Sequence, residues 1–267
     1  MTEFGLIAAL GGSFAAGPGI EPVADPGAMR SSRNYPSLLA ERLGARLVDL
    51  TVSGATTATI LDVPQQSPTG AEFPPQIAGL PADAELVTIT AGGEDLGFTG
   101  AMLAAAWTAR DPESPVATML RQAVPDGPPE PTPETIEGAA DGLARIVSGA
   151  RRRAPNARIV LVDHLAVVGA NTATSDAVPI GAEGLAAIAR IQDALRQATG
   201  IAAVRSGAEL FAASAMSGGH ALGDAEPWVL GFIPDPLRTA ASFHPNAAGM
   251  AAIAEGLASR LLAEPES

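Results

Sequence analysis

The segment Leu10-Gly11-Gly12-Ser13-Phe14-Ala15-Ala16-Gly17 places a hydroxyl directly behind an apolar run and a glycine pair. Glycine tolerates sharp turns, so a serine there can be presented at the end of a strand with backbone N–H groups aimed at the same point. A nucleophile and the donors that hold the oxyanion it creates need that proximity. The same residues also fit an ordinary turn or a helix cap, and this segment alone does not decide between the two readings.

Few other residues invite chemistry. Of the three histidines, His164 follows an apolar run in Val162-Asp163-His164 and His220 sits in Ser217-Gly218-Gly219-His220; neither has partners at metal-ligand spacing. With no cysteine in the chain, there is neither a thiolate metal site nor a disulfide framework. The residues therefore point to no metal and no organic cofactor. All 16 basic residues are arginine and the formal charge is -13, which would repel a phosphate backbone, so no nucleic-acid partner is expected. The triplet Arg151-Arg152-Arg153 ends a helical pattern, where cations complement the backbone dipole.

The elements that must position Ser13 follow from periodicity. Residues 5–10 predict a first strand; beyond a Pro/Gly-rich loop, Tyr35, Leu38, Leu39 and Leu43 recur at helical spacing and Gly44 closes that helix. Strands are predicted at residues 46–50 and 85–90, each running into a glycine-containing loop. Thr132-Pro133-Glu134 opens a helix with Ile136, Ala139, Leu143 and Ile146 on its inner stripe, ahead of a fourth strand at 157–162. Residues 182–198 predict a further helix and 201–204 a short fifth strand. Asn246 caps a last helix that carries Met250, Ile253, Leu257 and Leu261 on one side. Two Pro/Gly-rich stretches, 62–83 and 126–131, read as loops over the face that carries the chemistry. Strands alternating with helices give an α/β class with a five-stranded parallel sheet.

The chain is long enough for one well-buried core, and 1–267 reads as a single domain. No apolar run approaches the roughly 20 residues that cross a bilayer, so stable membrane insertion is not expected. An acid near the start, Glu3, stands where a secretory signal would carry positive charge, and a cytoplasmic location is the expectation.

Four blocks in a fixed order then carry a resemblance across nearly the whole chain. They are Gly11-Gly12-Ser13-Phe14, Asp49-Leu50-Thr51-Val52-Ser53-Gly54-Ala55-Thr56-Thr57, Thr88-Ile89-Thr90-Ala91-Gly92-Gly93-Glu94-Asp95-Leu96-Gly97-Phe98 and Phe243-His244-Pro245-Asn246-Ala247-Ala248-Gly249. Together they resemble the blocks of the SGNH (GDSL-type) hydrolases, and Arg33-Asn34-Tyr35-Pro36 is similar to the bacterial esterase branch. The resemblance implies a flavodoxin-like three-layer α/β/α sandwich. It implies Ser13 as nucleophile, His244 as its base, and an oxyanion hole made by the backbone N–H groups of Ser13 and Gly54 with a side chain at the position of Glu94.

The chain departs from the family at two of these positions. The family's acid, three residues before the histidine, is replaced by Ala241, whose carbonyl is expected to orient the imidazole; Asp235 and Asp224, upstream in a segment rich in Pro, Trp and Gly, are the alternatives, read otherwise as solvated loop acids. The family's oxyanion-hole Asn is replaced by Glu94, which when ionised accepts hydrogen bonds and donates none. Pro227-Trp228 resembles a segment flanking the acyl pocket and equally suits packing. The implied activity is hydrolysis of a small-molecule carboxylic ester through an acyl-enzyme on Ser13. The alternatives are a weakly active or non-catalytic ligand-binding relative, because of Glu94, and an acyltransferase using the same dyad.

Overall fold

A computed structural model describes residues 4–67, 69–125 and 127–263. Its centre is a parallel sheet of β1 (Leu6–Gly11), β2 (Arg46–Asp49), β3 (Leu86–Thr90), β4 (Arg158–Val162) and β5 (Glu209–Phe211), in the order β2-β1-β3-β4-β5. Register is set by continuous pairing: Ala8 lies opposite both Val48 and Val87, Thr88 opposite Val160, and Leu161 opposite Leu210.

Successive side chains of a strand face opposite ways, and here both faces are apolar. Ile7, Leu86, Val160 and Val162 enter one core with Leu38 and Leu39 of α2 (Tyr35–Leu43) and Ile253 and Leu257 of α8 (Ala247–Leu262). Leu10, Val87, Ile89 and Leu161 enter the other with Ile60 of α3 (Thr57–Leu61) and Leu143, Ile146 and Val147 of α6 (Pro133–Arg153). Two apolar faces need two covers, and the result is the three-layer, flavodoxin-like α/β/α arrangement.

Helix ends follow the local chemistry. Asn34 accepts from the Ser37 N–H at the start of α2, and Gly44 ends it at φ 64°. Thr132 forms a capping box at the head of α6. Asn246 accepts from the Gly249 N–H to cap α8. The arginine triplet occupies the last turn of α6, where Arg151 donates to the carbonyls of Ser206 and Gly207 and Arg153 to those of Leu80 and Ala78.

One predicted strand is corrected. Residues 201–204 lie inside α7 (Ala182–Ser206), and the fifth strand begins only at Glu209. The run Ile201-Ala202-Ala203-Val204 is short and half alanine, a composition that suits helix. Ala202 and Ala203 are buried while Val204 is 86% exposed, so the apolar run was not a two-sided buried strand. Gly207, at φ 63°, supplies the stop. Not among the predicted helices are the short α3 and two longer ones, α4 (Phe98–Arg110) and α5 (Pro115–Ala123). The stretch 62–83 contains a small antiparallel ribbon pairing Gln65–Gln66 with Glu72–Phe73 and a helical turn, Gln76–Gly79, with Pro68 outside the described residues. In the stretch 126–131, Asp126 lies outside the described residues and the rest forms no helix or strand. Among the described residues no helix is long and apolar enough to cross a membrane.

Candidate active site

In a parallel sheet the loops at the carboxyl ends of the strands share one edge, and ligands collect where the strand order reverses. Here that point lies between β1 and β3, whose following loops carry Ser13 and Glu94.

Ser13 opens a single helical turn, α1 (Ser13–Ala16), directly behind the glycine pair. Gly11 has φ 149°, and a Cβ at that position would collide with the Thr90 carbonyl oxygen. Only glycine allows β1 and β3 to meet so closely at their ends. Gly12 donates to the same carbonyl at 3.0 Å and its own carbonyl accepts from Ala15 and Ala16. The hydroxyl-bearing turn is thereby fixed at the sheet edge.

Gly54, at φ 82°, turns the segment behind β2. That segment is tied down at several points. Val52 donates to Gly11 and Ser53 donates to Ala28, at 3.1 and 3.0 Å. Gln65 Nε2 donates to the Ser53 carbonyl at 2.8 Å. The Arg30 guanidinium reaches the carbonyls of Asp49 and Thr51 and pairs with Asp25 at 3.0 Å. Asp49 in turn accepts from Asn34 Nδ2 at 2.7 Å and from the Thr51 hydroxyl at 2.7 Å.

Glu94 and Asp95 adjoin each other but do different things. Asp95 accepts from the Thr57 N–H and hydroxyl and so anchors the start of α3. Glu94 is half-buried in the cleft wall; burial pushes its carboxyl pKa up, the neighbouring Asp95 charge adds to this, and a hydrogen bond with Thr99 opposes it.

His244 is buried and held by a short backbone ladder. Leu230 donates to the His244 carbonyl and accepts from the Phe243 N–H at 2.8 and 2.9 Å, and Asn246 donates to the Trp228 carbonyl at 2.9 Å. Phe243 adopts φ 64°, which turns the ring inward behind the 3-10 turn Thr239–Ala241. The imidazole Nδ1 lies 3.0 Å from the Ser242 carbonyl. The Ala241 carbonyl, expected in that place, accepts the His244 backbone N–H at 3.3 Å. Phe243, left-handed at φ 64°, stands in the chain between Ser242 and His244. Burial lowers the ring's pKa to about 4, and the carbonyls of Ser242 and Ala241 pull against that shift. Nε2 has no hydrogen-bond partner among the described residues.

Ser13, Gly54, Glu94 and His244 line one cleft of about 180 Å³, with Met29, Ser53, Thr99, Gly100, Leu103 and Ala240 completing its walls. Asp224 and Asp235 do not join them. Asp224 accepts from Asn171 Nδ2 and the Ala221 N–H, tying its loop to a second one, and Asp235 accepts from the Leu237 N–H in its own loop. His164 is buried with its ring 4.6 Å from that of Phe14, which also lies 5.3 Å from the ring of His244. Burial drives the His164 pKa down to about 3, with His244 adding to the shift. Trp228 stacks flat on His220 at 3.8 Å and is not among the cleft walls. Among the described residues no group of three or more His, Asp or Glu side chains could hold a metal ion.

Residues 9–252 match the GDSL-like lipase/acylhydrolase family. The chain belongs to this family. It is 31% identical to Lipase 2 of Streptomyces coelicolor over 265 residues, which covers 92% of this chain and 82% of that protein. Its fold is similar to that of phospholipase A1 from Streptomyces albidoflavus NA297, with TM-score 0.71 and 22% identity over 98% of this chain and 100% of that one. It is also similar to the extracellular lipase of Streptomyces rimosus, with TM-score 0.67 and 22% identity over 96% and 98% of the two chains.

Within this GDSL-like chain, the residues that hold the site from behind were not read from the sequence. Gln76 forms a paired contact with Gly11, its Oε1 accepting the Gly11 N–H at 2.8 Å and its Nε2 donating to the Gly11 carbonyl at 3.0 Å. Tyr35 is fully buried, with its hydroxyl 2.9 Å from Thr90 Oγ1 and its pKa pushed up to about 12 by burial. For Tyr35 the helical stripe was the available signal. Gln76 sits 65 residues from its partner and has no local one.

Proposed function

We propose that the protein hydrolyses carboxylic esters through an acyl-enzyme on Ser13, with His244 as general base and acid, and with the whole chain, 1–267, as one catalytic unit. The observation that carries this reading is the convergence of Ser13, Gly54, Glu94 and His244, from four separate segments, on one cleft. In this reading Ser13 Oγ attacks the ester carbonyl carbon while its proton passes to His244 Nε2. The oxyanion forms within reach of the Ser13 and Gly54 backbone N–H groups. His244 then returns the proton to the departing alcohol as the C–O bond breaks, and a water repeats the sequence to release the acid. Nδ1–H stays on the Ser242 carbonyl throughout, which fixes the tautomer with Nε2 free to accept.

A cleft of about 180 Å³ with Met29 and Leu103 in its wall suits an acyl group of modest length. A Glu94 carboxylate in that wall favours a slow enzyme over a fast one, because charge of the same sign opposes an oxyanion. The test is hydrolysis of a short activated aryl ester by the wild type beside Ser13→Ala. A rate that vanishes with Ser13 supports the acyl-enzyme; equal rates in the two proteins would leave a ligand-binding relative in its place.

A further inference from the structure

Two of the residues that line the cleft carry a buried polar atom with no hydrogen-bond partner among the described residues: His244 Nε2 and Ser53 Oγ. A buried polar group left unpaired costs free energy, and an unpaired one at a site is a group whose partner arrives from outside. For His244 that partner is the proton the reaction moves. Ser53 has no such role so far.

The backbone of Ser53 is unusually constrained. Its N–H donates to the Ala28 carbonyl at 3.0 Å and its carbonyl accepts from Gln65 Nε2 at 2.8 Å, so two different segments grip it from opposite sides. Its neighbour in sequence is Gly54, whose N–H faces the oxyanion in the reading above. The residue is only 4% exposed and its hydroxyl oxygen is buried, yet it is among the cleft walls. A hydroxyl can donate one hydrogen bond, an ionised carboxylate none. Glu94 stands where a third donor is needed and does not supply one in its ionised form.

We propose that the Ser53 hydroxyl is the third hydrogen-bond donor to the oxyanion, beside the N–H groups of Ser13 and Gly54. The inference rests on the Ser13–His244 reading and adds a catalytic residue to it. A donor held before the reaction begins acts where charge develops and contributes to turnover more than to binding.

The experiment measures kcat and KM for a short activated aryl ester with wild type, Ser13→Ala, Ser53→Ala and Ser53→Thr, alongside the thermal midpoint of each. Loss of one such donor costs about a hundredfold in kcat, so Ser53→Ala is expected to fall by about that factor with KM within about twofold. Ser53→Thr keeps the hydroxyl and is expected to recover most of the rate. If Ser53→Ala does not fold, Ser53→Cys replaces it, having similar volume and only a weak donor. A Ser13-dependent rate that Ser53→Ala or Ser53→Cys leaves within about threefold of wild type overturns this proposal alone. So does a Ser53→Thr enzyme no faster than Ser53→Ala. A wild type with no Ser13-dependent rate overturns the ester-hydrolase reading and this one with it.

Discussion

In the proposed reaction His244 acts with a neutral carbonyl behind it instead of a carboxylate. The Ser242 carbonyl fixes the tautomer as a carboxylate would, but it does less for the imidazolium that forms in the transition state. Burial has already set the resting ring at a pKa of about 4, so it is neutral and able to accept a proton over the ordinary pH range. The sign is direct: below about pH 4 the ring is protonated and no base is present, and above it the base is available. A profile of kcat/KM for a short aryl ester should therefore rise through about pH 4 and show no ascending limb between pH 6 and 7. Because Asp224 and Asp235 are engaged by loop partners and neither is among the cleft walls, Asp224→Asn and Asp235→Asn should each change kcat by less than about threefold. A loss of about a thousandfold in either would identify it as the missing acid. Glu94 adds an effect of the opposite sense. Its carboxyl titrates above its usual range, and ionisation places negative charge in the cleft, so the rate should decline as pH rises through that raised pKa. Glu94→Gln should lose this descending limb, and Glu94→Asn should exceed the wild-type kcat; an unchanged or lower rate would give Glu94 a role of its own.

At the scale of elements, the turn from β1 into α1 decides whether Ser13 is presented at all. Gly11 has no room for a side chain against Thr90, and its φ of 149° disfavours one as well. Gly11→Ala should destabilise the protein by more than about 3 kcal/mol in urea unfolding, since either the strand ends separate or the backbone is forced into strain. Gln76→Ala should cost about 1–3 kcal/mol, because it strips the buried Gly11 N–H of its acceptor and leaves the Gly11 carbonyl with the Val52 N–H alone. With Ser13 as the proposed nucleophile it should also slow turnover, since the N–H it frees is two residues from Ser13. The two predictions separate what the sequence discloses from what it hides. Gly11-Gly12-Ser13 announces a tight turn through residue type alone, and so do Asn246 ahead of α8 and Thr132-Pro133 ahead of α6. Four of the five strands were legible for the same reason, as apolar runs bounded by glycine or proline. Residues 201–204 misled because a short Ala-rich run satisfies helix and strand alike, and only the stop at Gly207 resolves it. The helix α5 carried a readable signal in Ser114-Pro115, a cap followed by proline at the first helical position. Gln76 and the Ser242 carbonyl could not be read, because each acts through geometry that residue type does not announce.

At the scale of the whole molecule, one of the two cores reaches the site at Phe14, whose ring lies 4.6 Å from that of His164 and 5.3 Å from that of His244. Both rings are buried and neutral, with pKa values lowered to about 3 and about 4. In the unfolded chain each returns to about 6.5. Between that value and the folded one, the unfolded state binds protons that the folded state refuses. The stability these rings allow is thus fully present above about pH 6.5 and is lost as pH falls through the folded values. Each histidine contributes a slope of up to about 1.4 kcal/mol per pH unit inside its window. Other groups act at the same time. Glu94 and Asp163 hold their protons in the folded state above the usual carboxylate range, so their contribution weakens as pH rises. The charge of -13 at pH 7 also relaxes as the pH approaches the sequence pI of about 4.6, which eases self-repulsion. The difference between wild type and His164→Gln cancels these shared terms. Urea unfolding of both proteins at intervals from pH 7 to pH 4 should show the variant's disadvantage at neutral pH shrinking steadily below pH 6.5, because it has no ring to protonate on unfolding. Two curves that run parallel over that range would mean that His164 takes up its proton in the folded protein as readily as in the unfolded chain.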